Sequence, residues 1–306
     1  MSTVFITGAS GYIGGAIARE LAAVHRVKGG VRRLADLPSG IQPVVTGDLA
    51  DARLDFTGVD AVVHAAGLGH RRGVSQVAWR RANLDAAVNV AAQAKAAGVR
   101  RLVLISTAHV HGRVHAGRVG DATAFAPADA YAESKLLAER AVAAVFGEGL
   151  SILRPVAVIG PGCPGNLQPL MRLLRRGLPL PFGALTNRRS FIAVADLARL
   201  VALVLASTAP PPMALAASPQ AIATPALIRA LARGMDVPAR LLPAPPALLG
   251  AVARLLGRGS LWQSLSGDFL AEPRAALDLG WQPRASLEQA LEETGRVARQ
   301  GFMRVL

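Results

Sequence analysis

Short apolar runs alternate with longer segments of helical periodicity through the first half of this chain. The runs TVFITG, HRVKGGVR, QPVVTGD, AVVHAAG, RLVLIST and SILRPVAVIG read as buried strands. Between several of them, as in GGAIARELAAV and WRRANLDAAVNVAAQAKAAG, apolar residues recur at helical spacing. Alternating strand and helix predicts an α/β fold, a doubly wound parallel sheet with right-handed crossovers. From about residue 160 the pattern changes. Loops rich in Gly and Pro (GPGCPGN, GLPLPFG, APPP, PAPP) separate isolated helices, which predicts a smaller lobe built from several excursions.

Composition narrows the class. The chain has 306 residues, enough to bury a substantial core. It is 52% hydrophobic but only 4% aromatic, which predicts tightly packed helices on a sheet. The formal charge is +14, from 34 Lys and Arg against 20 Asp and Glu, and nearly all the basic residues are arginine. Guanidinium groups favour bidentate contacts to phosphate or carboxylate. They are scattered in short clusters such as VRR, HRRG and NRRS, without stacking aromatics, so small phosphorylated ligands fit better than nucleic acid. A single cysteine, Cys163, leaves no disulfide framework and no cysteine-based metal site, as in a reducing cytoplasm. MSTVFITGAS runs straight into a strand, leaving no room for a signal peptide. The most apolar segment, DLARLVALVLASTAPPPMALAA, carries Arg199 and three prolines and is too broken to span a bilayer.

Candidate chemistry begins at TGASGYIGGAIARE, with Gly8, Gly11 and Gly14 at three-residue intervals between the first strand and the first helix. Small residues there let backbone amides approach a pyrophosphate at a helix N-terminus. At the end of the second strand an acid would accept from a free adenosine ribose. Here GGVRRLAD puts Arg32 and Arg33, which suit a 2′-phosphate, so NADP(H) is expected over NAD(H). After the third strand, TGDLAD offers Asp48 and Leu49 beside the adenine. The fifth strand ends in ISTAHVHG, presenting Ser106 and Thr107, and YAESK places Lys135 one helical turn after Tyr131. A lysine so placed, with an oxidised nicotinamide, would stabilise phenolate and bring a tyrosine toward neutral-pH acid–base work.

Taken in order, the glycine signature, GDL, HAAG, Asn83 in RANLDAA, ISTAHVHG, the Tyr-x-x-x-Lys pair, LRPVAVIGPG, RSFIAVADLA and LGWQPRASLEQAL resemble the extended short-chain dehydrogenase/reductase family. The resemblance is to its nucleotide-sugar epimerases, dehydratases and reductases. It implies a Rossmann dinucleotide-binding domain over 1–160, with 188–206 returning to it. It also implies a substrate lobe formed mainly by 161–187 and 207–306. By the same resemblance Tyr131 is the general acid–base, Lys135 orients the cofactor ribose, and Thr107 is the catalytic hydroxyl. Cofactor contacts would come from Gly8, Ser10, Gly11, Tyr12, Ile13, Gly14, Ala65, Ala66, Gly67, Asn83, Ser106, Arg154, Pro155 and Val158. The chain departs from the family at His111, where a tyrosine is common, and at Ala108 and His109, where dehydratases carry an Asp-Glu pair. Dehydration is therefore rejected. The histidines of HVHGRVH lack carboxylate support and read as loop residues, not metal ligands.

The same resemblance places a nucleotide-sugar diphosphate on Asn166 and Arg189, its base bordered by the loop with Leu180, Pro181 and Phe182, and its sugar next to Thr107 and Ala108. The stretch LPLPFGALTNRRSF looks most like bacterial reductases of UDP-4-keto-6-deoxy-N-acetylhexosamines for surface polysaccharide. The leading expectation is thus NADPH-dependent 4-keto reduction. The alternatives are a UDP-hexose 4-epimerase holding NAD tightly and a cofactor-binding sensor without chemistry. A homodimer through helices around 74–97 and 128–147 is also implied. The segment PPALLGAVARLLGRGSLWQSL is read as a packed lobe helix in preference to an amphipathic membrane helix.

Overall fold

The computed structural model describes residues 1–69, 73–165 and 167–303. Its first half runs β1 (Thr3–Thr7), α1 (Tyr12–Ala22), β2 (Arg26–Val31), β3 (Ile41–Val45), β4 (Ala61–His64), α2 (Gln76–Trp79), a π-helical segment (Arg80–Asp85) and α3 (Ala86–Ala96). Then come β5 (Arg101–Ile105), a 3-10 turn (Ala108–His111), β6 (Arg118–Val119), α4 (Ala130–Phe146), β7 (Leu150–Pro155) and β8 (Ala157–Ile159). The remainder is α5 (Leu167–Arg175), β9 (Arg188–Ala193), α6 (Val194–Ala206), β10 (Met213–Ala216), β11 (Ala221–Ala223) and α7 (Thr224–Met235). It closes with α8 (Pro246–Leu255), α9 (Gly259–Ser266), β12 (Leu270–Ala271), α10 (Arg274–Asp278) and α11 (Leu287–Met303).

Among the described residues a seven-stranded sheet has the order β10-β7-β5-β4-β1-β2-β3, with every neighbouring pair parallel. The central strands β1, β4 and β5 are buried on both faces and read as continuous apolar runs, whereas β3, expected as a buried strand, is an edge strand exposed over most of its length. One face packs under α1 and α6 through Ile17, Leu21, Leu197 and Val201. The other packs under α3 and α4 through Val90, Ala94, Ala138 and Val142. The chain leaves β1 toward β2 and β3, then crosses back to β4 on the other side of β1. That reversal opens a crevice beyond the carboxyl ends of β1 and β4, where such sheets take their ligands.

Two boundaries differ from the sequence expectation. SILRPVAVIG divides into β7 and β8, and β8 pairs with β9 in a separate small sheet. The sheet also claims more chain than 188–206: β10 adds at its edge beside β7, and Trp281 is fully buried in the α1–α6 core. A third cluster, with Leu174, Leu180, Leu227, Ile228 and Leu291, holds α5, α7 and α11 together as the smaller lobe.

Candidate active site

The glycine turn is built around close backbone approach. Gly8 has φ +70°, and a Cβ there would stand 2.8 Å from the Cα of Ala66 on the neighbouring strand end. A Cβ on Gly14 would stand 2.1 Å from the Gly8 carbonyl oxygen, so α1 reaches β1 this closely only without a side chain. Gly11 caps α1 without a side-chain hydrogen bond, and the first turn holds no acid, so its amides and partial positive charge face the crevice. The crevice, of about 230 Å³, is lined by Gly8, Ser10, Gly11, Arg32, Asp48, Leu49, Ala65, Ala66 and Gly67. Arg33 is exposed and outside this lining. Ile13 is half-buried against the α1–α6 core, and the Tyr12 hydroxyl is buried beside Gly160, its pKa raised by burial. Asp48 is turned to Arg81, with Nε 3.1 Å from Oδ2. A hydrogen bond from the Ala50 amide, with Arg81 and Arg32 nearby, holds its carboxyl below the usual range.

The strand end 65–68 is fixed from two sides. Thr7 Oγ1 accepts from the Ala66 amide at 3.1 Å, and its hydroxyl lies 3.0 Å from His64 Nδ1. Burial, with Lys135 nearby, pushes His64 down to about 3, so it is neutral. On the other side Asn83 Oδ1 accepts from the Leu68 amide at 2.8 Å, and its amide donates to Ser134 Oγ at 3.0 Å. Asn83 sits in the π-helical segment, whose extra residue per turn aims this side chain at the loop. It is therefore a positioning residue tying the crevice floor to α4.

Helix α4 starts where Asp129 caps it, accepting from the Ala132 amide at 2.8 Å and pairing with Arg113. The cap sets Tyr131 in the first turn, half-buried, with its ring 5.4 Å from that of Trp79 and edge-on to His109. The Tyr131 side chain hydrogen-bonds that of Thr107, which itself accepts from the His109 amide at 3.2 Å. Lys135 Nζ is buried and donates to the Ile105 carbonyl at 2.6 Å; desolvation pushes it down to about 8, against a smaller upward pull from Glu139. The expected lowering of Tyr131 rests on its lysine together with an oxidised nicotinamide. Among the chain's own groups desolvation raises it, and the Thr107 hydrogen bond opposes the rise. The phenol is thus protonated near neutral pH.

Several expected contacts lie elsewhere. Ser106 donates to Glu139, and Arg154 grips the same carboxylate while its Nη1 lies 3.2 Å from His111 Nε2; both are buried in this network, not open to the crevice. Ala108 is fully buried in the α1–α6 core and offers no surface to a substrate. Pro155 and Val158 are buried and half-buried as β7 passes into β8. The histidines diverge: His111 Nδ1 lies 3.3 Å from the Ala124 carbonyl, its ring stacked on Phe125, while His115 Nδ1 accepts from the Gly117 amide. Leu180 is buried in the lobe core, its backbone paired with Arg240 and Leu242, with Pro181 and Phe182 half-buried beside it. Arg189 donates to the Gly267 carbonyl at 2.9 Å and the Arg113 carbonyl at 3.1 Å, and burial pushes it down to about 10. That uses two of a guanidinium's five donors. Asn166 lies outside the described residues.

Sequence reasoning missed Glu139, eight residues after Tyr131 and four after Lys135, hence on the same face of α4. An acid at that spacing on an otherwise apolar helix face was the available signal. It also missed Trp79, which packs the Tyr131 ring.

A profile described as the NAD dependent epimerase/dehydratase family matches residues 4–215. The chain belongs to this family. The UDP-glucose 4-epimerase of Vibrio cholerae is 29% identical to it over 311 residues, covering 96% of this chain and 94% of that protein. The N-acetyl-alpha-D-glucosaminyl-diphospho-ditrans,octacis-undecaprenol 4-epimerase of Escherichia coli O157:H7 is 27% identical, covering 67% of this chain and 64% of that one. Among solved structures, MoeE5 in complex with UDP-glucose and NAD superposes with a TM-score of 0.78 at 24% identity, covering 98% of this chain and all of that one.

The family's dinucleotide fits the residues present. The cradle that a Cβ at Gly8 or Gly14 would fill, the uncapped N-terminus of α1 and the cleft beside Arg32 match a pyrophosphate with an adenosine at its end.

Proposed function

We propose that this chain is a nucleotide-sugar enzyme that interconverts the C4 epimers of a UDP-linked hexose. The observation that carries the reading is the hydrogen-bonded Thr107–Tyr131 pair, with Lys135 one turn on, beside the cleft that the glycine turn lines. The full-length similarity to a UDP-glucose 4-epimerase supports epimerisation over other outcomes at such a site. The glycine turn, Ala65 to Gly67 and Lys135 would hold the cofactor, which when bound supplies a reversible hydride acceptor for C4. With the oxidised cofactor bound, Tyr131 would first release its own proton to solvent and, as phenolate, take the proton from the C4 hydroxyl and later return it, so it must act in both directions. Thr107 holds the same oxygen while the proton moves, and the protonated Lys135 favours phenolate during that transfer. Arg189, which donates to the Gly267 and Arg113 carbonyls, is a phosphate-facing residue of the substrate lobe in this reading.

A second reading, NADPH-dependent reduction of a 4-keto sugar, is favoured by Arg32 in the cleft lining. In it Tyr131 only donates its proton. A homodimer through α2, α3 and α4 belongs to the same proposal and is supported by exposed Val77, Leu137 and Val145. The test is to incubate the purified protein with UDP-galactose and NAD and to follow UDP-glucose. Steady interconversion supports the epimerase. No interconversion, with rapid oxidation of NADPH by a UDP-4-keto-6-deoxy sugar, replaces it with the reductase.

A further inference from the structure

The segment PPALLGAVARLLGRGSLWQSL, expected as a packed lobe helix, forms α8 and α9 packed on each other, with α8 covered along one side only. Of the ten residues of α8, Gly250 alone is buried. The helix rests on α9, where the Trp262 indole lies so close that a Cβ on Gly250 would stand 2.7 Å from Nε1. Residues two positions apart face opposite sides of a helix. Leu248 and Val252, each two from Gly250, therefore point away from the lobe, and Leu255 extends their stripe at i, i+4 and i+7. Their exposures are 59%, 46% and 88%, and Leu242 and Leu256 at the two ends of the helix are 53% and 67% exposed. A contiguous apolar stripe on an outward face marks an interaction surface.

Charge says what would cover it. From Val237 to Gly267 the chain has no Asp or Glu, while Arg240 precedes α8, Arg258 follows it and Arg254 sits in its last turn, on the Gly250 side. All three are exposed and none forms an ion pair among the described residues. The chain as a whole is at +14. An outward apolar stripe on an acid-free segment that carries three exposed arginines matches the surface of an anionic bilayer, where the stripe enters the acyl boundary and the long guanidinium side chains reach phosphates. No helix among the described residues is long and apolar enough to cross a membrane, so the contact is peripheral.

We propose that α8 docks this protein on an anionic lipid bilayer. The segment leading into it, Arg240 to Leu242, is hydrogen-bonded to Leu180, so docking sets the substrate lobe against the membrane. The proposal does not depend on which sugar chemistry the active site performs.

Flotation of the purified full chain with phosphatidylglycerol-containing vesicles and with pure phosphatidylcholine vesicles tests it. The protein should float with the former and remain behind with the latter. Leu248→Glu/Leu255→Glu, checked for native circular dichroism, should lower the floated fraction by about tenfold or more. If that variant fails to fold, Arg254→Ala/Arg258→Ala should lower it several-fold and make binding less sensitive to salt. Failure of the wild type to float, equal flotation on both lipids, or unchanged flotation of the folded variant overturns the proposal. So does a wild type that stays off vesicles while the leucine variant turns a dimer into a monomer, since a second copy would then cover the face.

Discussion

Arg154 grips both carboxylate oxygens of Glu139, with Nε 3.1 Å from Oε1 and 3.2 Å from Oε2, and Nη2 2.6 Å from Oε2. The pair is almost wholly buried and joins β7 to α4, the helix that carries Tyr131 and Lys135. Ser106 and His111 complete it, so His111 acts at the Arg154 end of this ion pair. Breaking a buried pair from one side leaves a charge without its partner, at a cost of about 3–5 kcal/mol. Glu139→Ala should therefore lower the urea midpoint strongly, while Glu139→Ala with Arg154→Met recovers much of the loss. A single-variant loss under about 1 kcal/mol would mean the pair does not hold α4 in place.

Tyr131→Phe removes the proton carrier without changing the packing of the ring on Trp79. Turnover should fall by roughly 10²–10⁴-fold or more, with cofactor binding intact by fluorescence titration. Thr107→Val should cost turnover while sparing cofactor affinity, because its hydroxyl faces Tyr131. A Tyr131→Phe enzyme with near-normal turnover would remove Tyr131 from the mechanism.

Lys135 has a signature in stability. Its ordinary pKa of 10.5 drops to about 8 in the folded chain because burial penalises the ammonium. Between those values the folded protein has released the proton while the unfolded chain still binds it, so this group adds stability as pH rises across the window. The unfolding free energy of wild type minus that of Lys135→Met should climb from pH 8 toward 10.5. A flat difference would contradict the buried ammonium.

Arg32→Ala separates the two cofactors. If the guanidinium meets a 2′-phosphate, affinity for NADP(H) falls about tenfold or more while affinity for NAD(H) holds. Equal loss for both would make Arg32 a stacking residue, and no loss would take it out of the site.

Much of this was legible along the chain. The sheet strands and the helices between them were marked by apolar runs and helical periodicity, which are local signals. Gly8 and Gly14 stood out because only glycine permits the approach they make. The roles of Ser106, Ala108 and Arg154 were not legible. Each sits in a motif beside the site, yet Ser106 and Arg154 turn to Glu139 and Ala108 into the core. Direction about a strand end is set by what the neighbouring helix presents, and sequence spacing does not carry that.

The sequence by itself determined the α/β class, the close-approach glycine turn and the Tyr131–Lys135 register, because each depends on residue type at short range. The tertiary structure alone decided the protonation of the site and the fate of α8. Burial raises Tyr131, lowers Lys135 and neutralises His64, and burial is a property of the assembled layers. Likewise the stripe of Leu248, Val252 and Leu255 has the pattern of a core-facing helix, and only the placement of Gly250 on Trp262 turned it outward.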